Sequence, residues 1–320
     1  MSVSTTSGMP TATDAPSAGA PAIPRRRKGI SDRTLGILMI LPAAVLIITY
    51  LAVPLATSVG LSLFQEDTIT HASVWVGLGN FTWLAKNSLF WDSLGRSIYW
   101  TAGNAIIQIV GGVGVALLLH AELRGRTIAR GIMLFPFIVP AVVAALIWNY
   151  MLNDLVGVVD YVLQSLNIIS QPLGAMSTPG KAMNTIILIS SWKYMPFMIV
   201  MFLSRLQTLP LELSEAARMD GCGPFGVFTR ITLPWLMPVI MVALLLRVIW
   251  SFNEFDMPFL LTQGGPLNST MTMPLLIRYL AFDYLDVGKA AAVALVMIGI
   301  LLALAKLQAN LYQRAESRLQ

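Results

Sequence analysis

Charge is scarce in this chain of 320 residues. Asp, Glu, Lys and Arg together make up 12% of it, where an ordinary soluble domain carries about 25%. So little charge cannot clothe a water-facing surface, which argues against the soluble classes. Cysteine is nearly missing too. Cys222 is the only one, so no intrachain disulfide and no cysteine-based metal cluster can form. His71 and His120 are the only histidines, too few for a His-centred metal site; they read as a loop residue and a helix-end residue. No hydrolase or nucleophile constellation stands out, and no catalytic or metal-binding residue is expected. What abounds is apolar side chain, 56% of the residues. The net charge of +5 does not point to nucleic acid. Its Lys and Arg sit in short runs between apolar stretches, as the bias toward positive cytoplasmic loops would place them.

Residues 1–24 are rich in Ser, Thr, Ala, Gly and Pro, with Asp14 the only charged side chain. Such a stretch buries too little apolar area to offset its ordering entropy, so residues 1–30 are expected to form a disordered tail with a basic end, Arg25-Arg26-Arg27-Lys28. The apolar run that follows is too long for the core of a cleaved signal peptide. Six runs are long enough to cross a hydrocarbon core: 35–64, 98–119, 132–152, 184–203, 237–261 and 290–311. They are continuously apolar, which excludes the alternation of a membrane barrel, and helix is the remaining way to satisfy the backbone in lipid. The expectation is an all-α membrane protein with a six-helix domain over 31–314 and a short C-terminal tail over 315–320.

Lys and Arg set the orientation. With the N-terminus inside, the inner segments hold Arg25 to Lys28, Arg33, Arg124, Arg126, Arg130, Arg205, Arg218, Arg230, Lys306, Arg314 and Arg318; the outer segments hold Lys86, Arg96, Lys181, Arg278 and Lys289. That asymmetry predicts both ends in the cytoplasm, and it places the 204–236 loop there as well. Trp75, Trp83, Trp91 and Trp100 fall near the outer end of the second run. They read as an interfacial belt, with a docking surface for an extracytoplasmic partner as the alternative.

The 204–236 loop has its own logic. Pro210 suits a helix start, where a missing N–H costs nothing. Ala216 and Ala217 form helix with minimal bulk, so another protein can approach closely. Gly221 suits a left-handed helix terminator, and Pro224-Phe225 begin a second short piece. Glu215, Arg218 and Asp220 offer polar contacts. On these grounds alone, a docking helix and an amphipathic helix lying on headgroups stand level.

The spacing of Glu215-Ala216-Ala217, Gly221, Ile231 and Leu233-Pro234 resembles the EAA loop of permease subunits in bacterial binding-protein-dependent ABC importers. The resemblance implies a coupling helix contacting an ATP-binding subunit through Glu215, Ala216, Ala217, Asp220 and Gly221. The stretch Phe259-Leu-Leu-Thr-Gln-Gly-Gly-Pro266 with Asn268-Ser269-Thr270, and Trp75-Val-Gly-Leu-Gly-Asn80-Phe81, resemble the maltose-type and glycerol-phosphate-type carbohydrate permeases, in particular the larger permease of the maltose type. The resemblance spans about residues 35–312. It implies the type I importer permease fold and a bacterial inner-membrane location. It also implies a second permease, a pair of ATP-binding subunits and an extracytoplasmic solute-binding protein as partners, and a sugar or sugar-like substrate. No cofactor is expected in this chain, ATP and Mg belonging to the partner.

Several ionisable groups fall within the apolar runs, where each costs about 2.5–3.5 kcal/mol on insertion scales. Lys193 lies in the fourth run; Arg247, Glu254 and Asp256 lie in the fifth. The spacing puts Arg247, Ser251 and Glu254 on one helix face. The resemblance carries the family's sugar-contacting positions onto Lys193, Tyr194, Phe197, Arg247, Ser251, Glu254 and Asp256, although the residue types differ. One reading is a polar pocket, whose two cations would suit an anionic sugar such as a sulfonated or phosphorylated glycoside. The other is an Arg247–Glu254 pair that only holds helices together. Two rival functions remain at this point: an ion-coupled secondary transporter relaying through Glu254 or Asp256, and a non-transporting scaffold. Gly174 to Lys181 lacks the spacing of a phosphate-binding loop, Asn80-Phe-Thr and Asn268-Ser-Thr are set aside as glycosylation acceptors, and Gly111, Gly112 and Gly114 are expected to allow close helix packing.

Overall fold

The computed structural model describes residues 31–66, 73–121 and 124–316. The expected tail over residues 1–30, the last four residues and His71 lie outside the described residues. Contacts divide the chain after Val53 into two units. The described part of the first is most of one helix, α1 (Asp32–Ser62). Its large apolar side chains from Leu35 to Val53 are exposed, on a helix apolar all round, as suits a span bathed in lipid.

The second unit opens with the end of α1, a two-stranded antiparallel hairpin of β1 (Phe64–Glu66) and β2 (Ser73–Trp75), and α2 (Gly79–Lys86). The buried Asn80 side chain donates to the carbonyls of Ser62 and Phe64, both at 2.9 Å, tying α2 to this turn. The next helices are α3 (Ser88–His120), α4 (Arg126–Ile138), α5 (Ala141–Met151), α6 (Val158–Ser165) and α7 (Pro179–Leu206). They are followed by α8 (Leu211–Met219), α9 (Pro224–Val227), α10 (Leu233–Asn253), α11 (Asp256–Thr262), α12 (Met273–Arg278) and α13 (Val287–Glu316). A π-helical turn over Phe228–Thr232 runs α9 into α10 without a break.

Among the described residues, five helices are long and apolar enough to cross a membrane, and the α4–α5 pair makes a sixth span if read as one. Three expected runs change shape. The second begins at Ser88, ten residues earlier than the apolar run suggests, because Asn87 caps the helix through Phe90 N–H. The third is bent by 95° between Ile138 and Ala141. Val139, before Pro140, sits at φ −62°, ψ 128°, the extended conformation a following proline imposes. The fifth does not continue to Leu261. It stops at Asn253, Glu254 turns extended, and α11 starts afresh. Pro258 explains the break, since its ring would clash with the carbonyl four residues back, that of Glu254.

The packed centre is α3 against α7. A Cβ on Gly103 would stand 2.9 Å from Ile187, and one on Gly111 2.8 Å from Met195, so these helices approach through glycine. Gly112 meets Met198 and Phe202 in the same way, while Gly114 faces open space. Around this pair, one cluster joins α3, α7 and α10 through Leu119, Phe202, Leu206 and Leu236. Another joins α3, α5, α7 and α11 through Trp100, Ala145, Ile186 and Met257. Trp100 is 1% exposed and donates its indole N–H to Ser251 O at 3.0 Å; it is a core residue rather than part of an interfacial belt.

Candidate functional site

The loop between α7 and α10 carries the first candidate site. Pro210 stands at the N-cap of α8, one position before the helix proper. No residue of α8 is buried. Glu215, Ala216, Asp220 and Gly221 are exposed and Ala217 half-buried. The helix ends in a complete Schellman motif: Gly221 N–H donates to Arg218 O at 3.0 Å and Cys222 N–H to Ala217 O at 2.9 Å, with Gly221 at φ +84°. Met219 and Phe225 flank this turn 89% and 78% exposed. The result is a short, exposed helix with a capped end and apolar side chains turned out.

Two residues that sequence reasoning missed hold the base of this loop. Arg205, at the end of α7, donates Nε–H to Trp235 O at 3.1 Å, and Trp235 donates its indole N–H to Arg205 O at 3.2 Å. The guanidinium stacks 4.1 Å from the indole centroid, a cation–π contact. Arg205 was legible only as a charge and Trp235 only as an aromatic residue near a helix start.

The second candidate site lies between α3, α7 and α10. Asn104 Oδ1 accepts from Arg247 Nη2 and Gln108 Nε2, both at 3.1 Å, and from Ser191 Oγ at 3.4 Å. Arg247 Nη2 also reaches Ser190 Oγ at 3.4 Å, and its guanidinium lies 5.0 Å from the Tyr194 ring centroid. Arg247 is 1% exposed. The expected Arg247–Glu254 pair is absent from the ion pairs among the described residues. The shared helix face is lost where Glu254 leaves the helix, and its carboxylate instead accepts from Tyr194 Oη at 3.3 Å.

The remaining predicted residues divide by burial. Lys193 is 4% exposed and donates Nζ–H to Val139 O. It thereby occupies the carbonyl at the end of α4, where a cation also suits the helix dipole. Ser251 is buried beside Trp100. Tyr194, Phe197 and Glu254 are half-buried and Asp256, in the first turn of α11, is exposed. Phe197 is the centre of an aromatic ledge: its ring is 6.1 Å from Phe137, stacked, and 5.2 Å from Trp250, tilted. Phe137 and Trp250 are 46% and 45% exposed. Such a ledge offers faces to the apolar side of a ring, and the Glu254 carboxylate, held by Tyr194, can accept hydroxyl hydrogens. Asn104 and Gln108 had a faint signal as amides inside an apolar run; Phe137 and Trp250 had none. No group of three or more metal-ligating side chains occurs among the described residues.

The comparisons agree with this architecture. The family model for binding-protein-dependent transport system inner membrane components matches residues 108–317. The trehalose/maltose transport system permease protein MalF of Thermococcus litoralis is 34% identical over 80% of this chain and 85% of its own. The sulfoquinovosyl glycerol transport system permease protein SmoG of Agrobacterium fabrum is 33% identical over 85% and 88%. A solved bacterial ABC transporter that imports the acidic polysaccharide alginate has a chain of the same fold, with a TM-score of 0.76 and 20% identity over 88% of this chain and 95% of that one. This chain belongs to the family of binding-protein-dependent transport system inner membrane components.

Proposed function

We propose that the chain is the membrane permease subunit of an ATP-driven importer for a sugar or sugar-like solute. It would stand in a bacterial inner membrane with both termini and α8 on the cytoplasmic side. A second permease completes the pathway, an extracytoplasmic binding protein delivers solute, and two ATP-binding subunits dock beneath. ATP and Mg belong to those subunits; this chain contributes no hydrolytic group.

The observation that carries the reading is α8 itself: a helix with no buried residue, closed by a left-handed glycine and clamped at its base by Arg205 and Trp235. A surface this exposed and this well held suits a protein partner that moves it as a unit. Movement of α8 then passes through the continuous α9–α10 rod toward Arg247, Trp250 and Glu254. The sugar class is supported by the relatives' substrates and by the Phe137–Phe197–Trp250 ledge. Lys193 and Arg247, already engaged by protein acceptors, shape this region and do not of themselves demand an anionic solute. An ion relay through Glu254 would leave α8 without a role.

The test is gentle detergent extraction of the tagged chain from its native membrane, with Gly221→Asp alongside. Co-purification of an ATP-binding subunit and a second permease, weakened in the variant, is the expected result. A chain that purifies alone and transports solute after reconstitution without ATP would overturn the reading.

A further inference from the structure

A cavity away from the ledge lies where the early turns of α3 and α7 meet the loop after α11. Its volume is about 420 Å³, within the range of small-molecule sites (about 300–1,000 Å³). Two glycines open it. Nothing stands within 4 Å of where a Cβ on Gly95 or Gly180 would be. Gly95 sits inside a helix, where glycine is less stable than alanine, so the opening has a structural cost.

The lining is mixed in a particular way. Trp91 is 55% exposed, and its indole N–H is already taken by Ala85 O at 2.9 Å, so it offers only ring faces. Tyr99, 54% exposed, donates its hydroxyl to Asn184 Oδ1 at 2.6 Å, which leaves the Asn184 amide hydrogens for another acceptor. The Arg96 side chain is 27% exposed. Arg96 meets Asp92 only loosely, at 3.7 Å. Aromatic faces beside amide hydrogens, a partly exposed guanidinium and one carboxylate match neither a simple ion nor an acyl chain, which would leave these polar groups without partners. They match a pyranose ring, which has an apolar C–H face and hydroxyls that both donate and accept.

We propose that this cavity is an entry subsite for one pyranose unit of the transported solute, upstream of the candidate site between α3, α7 and α10. It rests on the proposed sugar import and orientation, which put this end of α3 on the extracytoplasmic side. α3 has 33 residues, about 50 Å at 1.5 Å each, against a hydrocarbon core of about 30 Å. Its apolar run starts only at Ile98, so in the proposed orientation the turns before it reach the outer headgroups and the water beyond. The two sites are neighbours along the chain. Tyr99 precedes Trp100, whose indole holds Ser251 O, and Ser269 lies in the loop leaving the helix that starts at Asp256.

The test uses the full chain in nanodiscs, labelled with fluorotryptophan, with the Trp91 fluorine resonance assigned through Trp91→Phe. Methyl α-glucopyranoside, trehalose, sulfoquinovosyl glycerol and glycerol are titrated through the millimolar range. A saturable shift of the Trp91 signal with at least one glycoside and not with glycerol is expected. Gly180→Leu should abolish it, as should Gly95→Leu on the opposite wall, while Glu254→Gln retains it. In the reconstituted importer, Gly180→Leu should raise the KM for solute several-fold with kcat unchanged. No saturable shift with any glycoside overturns the subsite, and if the importer still transports sugar the proposed function stands without it. An equal response to glycerol overturns pyranose recognition. A shift lost in Glu254→Gln but kept in both leucine variants assigns the effect to the inner site and overturns the proposal.

Discussion

Arg205 and Trp235 exchange hydrogen bonds across the base of the α8 loop, each side chain donating to the other's backbone carbonyl. The two residues are thirty positions apart in sequence, so the pair closes the loop into a unit. Arg205→Lys keeps the charge and loses the planar stack and fixed donor direction. The expected result is wild-type folding with ATP hydrolysis by the assembled importer no longer matched to solute uptake. Uptake per ATP in proteoliposomes checks this; an unchanged ratio would remove the clamp from the coupling argument.

Gly221 is the next test of the same helix. Its φ of +84° costs a residue with a Cβ about 1–2 kcal/mol, whereas Asn visits that region more readily. Gly221→Val should weaken retention of the ATP-binding subunit, and Gly221→Asn should keep most of it. Pull-down yields under identical detergent conditions give the comparison; equal yields from both variants would mean the turn's geometry is unimportant for docking.

The Asn104 node predicts a coupled pair of substitutions. Asn104→Ala removes an acceptor from buried Arg247 and should lower stability by about 1.5–3 kcal/mol, the range for a hydrogen bond to a charged group. Arg247→Met should cost less on that background than it does in the otherwise wild-type chain, because the interaction is already lost. Detergent unfolding of the four species measures the cycle; strict additivity would contradict the contact.

Lys193 and Val139 make a further prediction. Lys193→Met leaves the Val139 carbonyl, just past α4, without its side-chain donor and should destabilise the chain by about 1–3 kcal/mol. Protease sensitivity near residues 138–141, read by mass spectrometry, should rise in step. A variant as stable and as resistant as wild type would show the contact to be dispensable.

The ledge predicts a kinetic split. Phe197→Ala and Trp250→Ala should raise the KM for sugar uptake with little change in ATP hydrolysis, and Glu254→Gln should do the same by removing a charged acceptor. If all three variants import with wild-type KM, the ledge does not contact solute.

Composition and hydrophobic run length determined the class, because a chain this poor in charge has no way to cover itself in water. The helix terminator at Gly221 was also readable, since a left-handed backbone position has few residue choices, and the loop spacing pointed to the importer permeases. The partners of the intramembrane cations were not readable. Arg247 and Glu254 look like a pair at helical spacing, yet Pro258 turns Glu254 out of the helix, and Asn104, far away in sequence, takes the guanidinium. Lys193 looks like a pocket cation, yet the bend before Pro140 frees a carbonyl that claims it. Run length and spacing are local properties and survive in one dimension. Hydrogen-bond partners within the membrane depend on where helices break and which faces then meet, and only the tertiary structure decides that.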